Sequence, residues 1–215
     1  MSRTITTTVY KYAELSDKAK DKARDWFRNG FYDDSFWSDC VIDDAKACLE
    51  HLGWDVDRIY FSGFSSQGDG ACFEGQFDSS RVSLKGLRAH APKDAELRRI
   101  CRGLAKLARS NKRRGFTATV KHSGHYYHDG CVNFMFNFPE PESWAGRHQS
   151  IAAQFDKWEV RCNDDMGKLI ELSRDAMKWS YRQLEKEWEY QNSDEAVTEA
   201  IEANDYEFTA EGERA

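Results

Sequence analysis

Two stretches of the chain alternate apolar and polar residues with period two, and a glycine-bearing turn interrupts each. In the first, Ile59 and Phe61 alternate with Arg58, Tyr60 and Ser62; beyond the turn, Ala71, Phe73 and Phe77 alternate with Cys72, Glu74 and Asp78. In the second, the run Phe116 to His122 precedes Ser123 to Gly130, after which Val132, Phe134, Phe136 and Phe138 fall on one face. One apolar face at period two predicts half-buried antiparallel pairs. The first turn holds Gly63, Gly68 and Gly70 and is longer than a minimal two-residue hairpin, a length more often associated with function. Both turns begin Ser-Gly-aromatic and close Asp-Gly, with a cysteine soon after.

Elsewhere the period is helical. Thr4 to Tyr12 reads as a strand from its β-branched and aromatic residues. Ser16 is then a helix cap before Ala19, Ala23, Trp26 and Phe27, with Gly30 as the stop. Phe36, Cys40, Val41, Ala45, Cys48, Leu49 and Leu52 form the stripe of a second helix from Ser35 to Leu52, closed by Gly53. Lys93 to Arg114 is a third, turning Leu97, Ile100, Cys101, Leu104 and Leu107 inward. The order helix, strand, loop, strand thus occurs twice, which reads as a pseudo-repeat. After Pro139 and Pro141, a helix is expected over Ser150 to Trp158 and a long one over Asp164 to Gln191. Ser193-Asp-Glu caps a short last helix to Ala203, and Tyr206 and Phe208 alternate as an edge strand.

These elements give an α+β fold. An antiparallel sheet of two long hairpins, with terminal strands at its edges, is covered on one face by helices. A length of 215 residues allows one such domain over 1–215, with 192–215 as an acidic C-terminal extension.

Charge adds a division to this picture. Residues 185–215 hold eleven acidic and two basic residues, net −9, while the opposite face of the third helix (93–114) is basic: Arg98, Arg99, Arg102, Lys106, Arg109, Lys112, Arg113 and Arg114. A solvated face explains either run, and so does a surface that steers a charged partner. The overall charge of −6 argues against a general nucleic-acid binder, leaving the basic helix as the alternative route to nucleic acid. No apolar run approaches the roughly 20 residues of a membrane span, and the N-terminal residues lack the apolar stretch of a signal peptide. A cytoplasmic protein is expected. The six cysteines are scattered with no C-x-x-C pair, so buried single thiols are expected rather than disulfides or a four-cysteine zinc site.

Chemistry concentrates in the two loops. His122, His125 and His128 lie within seven residues, beside Asp129 and Cys131, and the first loop offers Gln67 and Asp69. Imidazole and carboxylate groups meeting at one sheet end would suit a metal, with His125, His128 and Asp69 as the ligands of a metal-assisted hydrolase of nucleotides or phosphodiesters. His122 shares a strand face with Ala118 and Val120 and is read as a core or edge histidine. The metal-binding motif H-E-x-x-H and the phosphate-loop lysine are absent, and no Ser/His/Asp triad is fixed by spacing. No catalytic residue and no cofactor is assigned. The favoured reading is recognition: Phe64, Gln67, Asp69, His125, Tyr126, Tyr127 and His128 supply aromatic surface with polar tips, as interfaces do.

Ile59-Tyr-Phe-Ser-Gly-Phe-Ser-Ser-Gln-Gly-Asp-Gly-Ala-Cys-Phe-Glu-Gly75 resembles a family of small proteins from bacteriophages, prophages and plasmids. Tyr10-Lys-Tyr-Ala-Glu-Leu-Ser-Asp-Lys-Ala-Lys20, His122-Ser-Gly-His-Tyr-Tyr-His128 and Ile201-Glu-Ala-Asn-Asp-Tyr-Glu-Phe-Thr209 extend the resemblance over nearly the whole chain. Members often carry the label antitoxin of a toxin–antitoxin system. The resemblance implies a phage-borne protein acting in the bacterial host cytoplasm, neutralising a toxin or a host defence component. It carries over no catalytic or ligand residues. The expected function is therefore non-enzymatic inhibition of a protein target, and self-association into a homo-oligomer stays open.

Overall fold

The computed structural model describes residues 8–31, 36–111, 115–139 and 152–215. In chain order the elements are β1 (Tyr10–Lys11), α1 (Asp17–Phe31), α2 (Phe36–His51), β2 (Trp54–Phe61), β3 (Ala71–Asp78), α3 (Leu84–His90), α4 (Ala95–Ser110), β4 (Thr117–His122), β5 (Val132–Asn137), α5 (Ala152–Gln191), α6 (Asp194–Ala203) and β6 (Glu207–Phe208). The α+β class holds. The chain divides into two compact units, residues 1–40 with 185–215, and residues 41–184.

The smaller unit contains α1, α6 and the pair β1–β6. Tyr10 faces Phe208 and Lys11 faces Glu207. The terminal strands therefore pair with each other in a sheet of their own and do not border the hairpins. Of the expected strand over Thr4 to Tyr12, Thr4–Thr7 lie outside the described residues, and a 3-10 turn over Tyr12–Glu14 ends β1 after two residues. The turn lets Tyr12 and Leu15 join Ala19, Ala23, Val197, Ile201 and Phe208 in one buried cluster. Residues 192–215 are thus folded through apolar burial. Their acidic groups meet basic partners: Asp194 pairs with Arg24 and Arg28, Glu213 with Lys22, and Asp205 and Glu207 with Lys11.

The larger unit is built on the sheet β2-β3-β4-β5, antiparallel throughout. Trp54, Phe77, Ala118 and Phe136 form one row across it. A register shift between Val56 and Arg58 places Asp57 as an extra residue. That bulge returns Ile59 to the face of Trp54 and Val56 despite the odd spacing. The same face joins α2, α3, α4 and α5 in one core through Leu49, Leu52, Leu87, Leu97, Leu104 and Leu169. Arg58, Gln76, Lys121, Asn133 and Met135 stay exposed. One face is covered and the other is mostly wet, as the alternation requires, with Cys72 buried on it.

Several boundaries differ from the sequence expectation. The helix α3 is additional to the expected elements; Ser83 caps it by accepting from Gly86 N–H, and Leu87 buries its inner face. Helix α4 begins after Asp94, whose side chain accepts from Leu97 N–H, while Lys112–Arg114 lie outside the described residues. The two helices expected over 150–191 are one continuous helix from Ala152; Pro141 and Ser150 lie outside the described residues.

Candidate functional site

An antiparallel order β2-β3-β4-β5 sends the β2–β3 and β4–β5 turns to the same end of the sheet. They meet there. A Cβ placed on Gly68 would stand 3.1 Å from Tyr126 Cδ1, and one on Gly70 would stand 2.7 Å from His128 Cβ. At Gly70 only a residue without a side chain allows this approach, while at Gly68 the Tyr126 ring would have to give by a few tenths of an ångström.

Each loop is also braced internally. In the first, the Asp69 carboxylate accepts from Ser65 N–H at 2.9 Å and Ser66 N–H at 2.6 Å, and Ser62 N–H donates to the Gly70 carbonyl at 3.0 Å. In the second, Ser123 N–H donates to the Cys131 carbonyl and Cys131 N–H to the His128 carbonyl, both at 2.9 Å. Helix α5 holds both loops. Tyr181 OH donates to the Gly63 carbonyl at 2.9 Å, and Lys178 Nζ lies 3.4 Å from the Asp129 carboxylate. The Phe64 ring packs 5.4 Å from that of Tyr181.

Where β3 and β4 approach the rim, their ladder stops at Gly75 opposite Val120. Glu74 fills the opening, accepting from His122 N–H at 3.0 Å and Tyr60 OH at 3.3 Å. Tyr60, His122 and Tyr127 then gather with ring centroids 5.1–5.3 Å apart. His122 Nε2 lies 3.1 Å from the Tyr126 carbonyl. His122 is accordingly half-buried and positions the second loop.

The seven expected contact residues fall into two groups. Gln67, His125 and Tyr126 are exposed, Tyr126 by 57%, the largest exposure among the aromatic residues of the rim. Phe64, Asp69, Tyr127 and His128 are half-buried and take part in holding the loops. His128 Nδ1 accepts from Gly130 N–H at 3.0 Å, and its Nε2 lies 3.3 Å from Cys131 Sγ. Accepting at Nδ1 puts the ring proton on Nε2, facing the sulfur. In that tautomer His128 donates to Cys131 and is not placed to take its proton. Burial pushes the Cys72 thiol up to about 12, with Cys131, Glu74 and Asp129 adding to the effect, so Cys72 stays protonated.

As a metal set, His125, His128 and Asp69 do not bring their ligand atoms together. Among the described residues, the group with three ligand atoms within 4.8 Å of one another is Asp44, Cys48 and His90. The basic face of α4 is partly engaged, Arg99 with Asp175 at 2.6 Å and Arg98 with the Pro92 carbonyl. Between α4 and α5 runs a groove of about 490 Å³ with mixed charge, lined by Lys106 of α4 and by Arg161, Asp164, Asp165, Lys168 and Glu171 of α5.

A family model described as domain of unknown function (DUF8835) matches residues 37–194. The chain belongs to the DUF8835 family. The matched DUF8835 stretch contains both rim loops and the whole four-stranded sheet. Neither a curated protein nor a solved structure matches the chain. Among the described residues, no helix is long and apolar enough to cross a membrane.

The Asp69 brace has a pH signature. The Ser66 N–H above all, opposed by desolvation and helped by the Ser65 N–H and the Ser62 hydroxyl, holds the Asp69 carboxyl below its usual range. A depressed folded pKa contributes order that is fully present above the unfolded value, about 3.9, and is lost as pH falls through the folded value. The Ser65 and Ser66 amide resonances are therefore expected to hold steady from neutral pH to about pH 4. They should move together only below it. Asp69→Asn should abolish that acid-range titration in an amide NMR series.

Proposed function

We propose that the protein is a non-enzymatic binding module that captures a protein target through the joined rim of its two glycine loops. The observation that carries this reading is the meeting of the loops at Gly68 and Tyr126, which sets Gln67, His125 and Tyr126 on one exposed surface with braced backbone beneath. Aromatic residues with polar tips on a preorganised backbone bind at low entropic cost. The resemblance to phage and plasmid proteins supplies the class of target: a toxin or a host defence component, neutralised in the bacterial cytoplasm. The negative charge of residues 185–215 adds attraction for a basic partner, so association should slow as salt rises.

The test places a photo-crosslinking side chain at position 126, at 125, or at exposed Arg102 on α4, in cells that carry the target. One partner protein captured from positions 125 and 126 and not from 102 is expected. Tyr126→Ala should then weaken binding of the purified partner by about 30-fold, the effect of a central aromatic anchor worth roughly 2 kcal/mol. Capture from 102 alone, or loop substitutions that leave the partner's affinity unchanged, would remove the reading.

A further inference from the structure

We propose that Asp44, Cys48 and His90 form a zinc(II) site that ties α2 to α3. Asp44 and Cys48 are one turn apart on α2, so their side chains share a helix face. His90, the last residue of α3, meets them there: its Nε2 lies 3.0 Å from Asp44 Oδ1. The carboxylate oxygen, the thiol sulfur and the imidazole nitrogen all lie within 4.8 Å of one another. Tetrahedral zinc, with bonds of about 2.0–2.3 Å, sets its ligand atoms roughly 3.3–3.7 Å apart, so the carboxylate and imidazole pair opens slightly and any wider separation from the sulfur closes by no more than about an ångström. The exposed ends of Asp44 and His90 leave room for that movement, and Cys48 forms the floor from the core side.

The donor set selects the metal. A thiolate with an imidazole and a carboxylate suits zinc and its neighbours, whereas magnesium and calcium take oxygen ligands. Asp94 stays outside the set, because its two carboxylate oxygens already accept from Leu97 N–H at 2.8 Å and Trp179 Nε1–H at 2.7 Å. Water supplies the fourth position. On binding, the Zn–S bond replaces the S–H bond of Cys48 and the proton leaves to solvent.

The experiment titrates the metal-free full chain with cobalt(II), then displaces it with zinc(II). One cobalt per chain is expected, with a sulfur-to-cobalt charge-transfer band and the intense visible bands of tetrahedral coordination. His90→Ala and Asp44→Ala, both at exposed positions, should each weaken binding at least about tenfold, the loss that follows removal of even an outer-sphere partner. Cys48→Ser should abolish the charge-transfer band, while Cys40→Ser and Cys131→Ser keep it. No such band in the parent chain would overturn the site, as would a band unchanged in both surface variants. A band lost with Cys40 or Cys131 would do the same. The surface variants decide the matter even if Cys48→Ser fails to fold.

Discussion

Trp54→Ala is expected to destabilise the larger unit by about 3–5 kcal/mol, the range for deleting a buried aromatic side chain. Trp54 is fully buried, and its ring lies 5.1 Å from Phe73, 5.3 Å from Phe77 and 6.4 Å from Phe134. It therefore joins β2, β3 and β5 on the covered face. The indole N–H meets no acceptor among the described residues. An unpaired buried donor costs roughly 1–3 kcal/mol, and Trp54→Phe removes it along with some ring volume. The phenylalanine variant should then lose no more than about 1.5 kcal/mol, the two effects offsetting one another. Chemical denaturation of the three proteins checks the order. An alanine variant no less stable than the phenylalanine variant would mean that this row is not the packed centre of the sheet.

Replacing Gly70 should have the largest effect at the rim. A Cβ there would lie 2.7 Å from His128 Cβ, 2.9 Å from His128 Cα and 3.3 Å from the Tyr127 carbonyl. Two of these three atoms are backbone, and the hydrogen bonds between Ser62 and Gly70 hold the other side. Gly70→Val should therefore separate the loops and cost roughly 1–3 kcal/mol, as overpacking does. Gly167→Ala provides the opposite sign: its Cβ would meet nothing within 4 Å inside α5, and alanine there should stabilise by about 0.5–1 kcal/mol. Paired unfolding curves test both. Equal effects of the two substitutions would show that the loops do not press together at Gly70.

The hairpins, their loops and the stripes of α2 and α4 were legible because each depends on local periodicity. The features without a local signal depend on distance in the chain or on irregularity. The Asp57 bulge breaks the alternation of β2, so only the half beginning at Ile59 showed its period. Tyr10 finds Phe208 rather than the hairpins, and nothing in a two-residue strand names its partner. Ser83 followed by Leu84 and Leu87 was the available signal for α3, a cap with apolar residues one turn apart.

At the rim, the sequence singled out polar and aromatic residues of two loops but not the division of labour among them. Asp69, which looked like a ligand, spends its carboxylate on Ser65 and Ser66, while Tyr127 turns inward to stack on Tyr60. The Asp44, Cys48 and His90 cluster was hidden because His90 comes from another helix, 46 residues beyond Asp44.

All of the functional reading requires the two loops to form one surface in solution. Proton NMR tests this at Gly68 and Tyr126. Cross-relaxation peaks between the Gly68 α-protons and the Tyr126 ring protons are expected in the parent chain, with the peaks lost and Gly68 shifted toward its random-coil position in Tyr126→Leu. A Gly68 with no peak to that ring, and with resonances that ignore the substitution, would mean that the loops stand apart and that no shared surface exists.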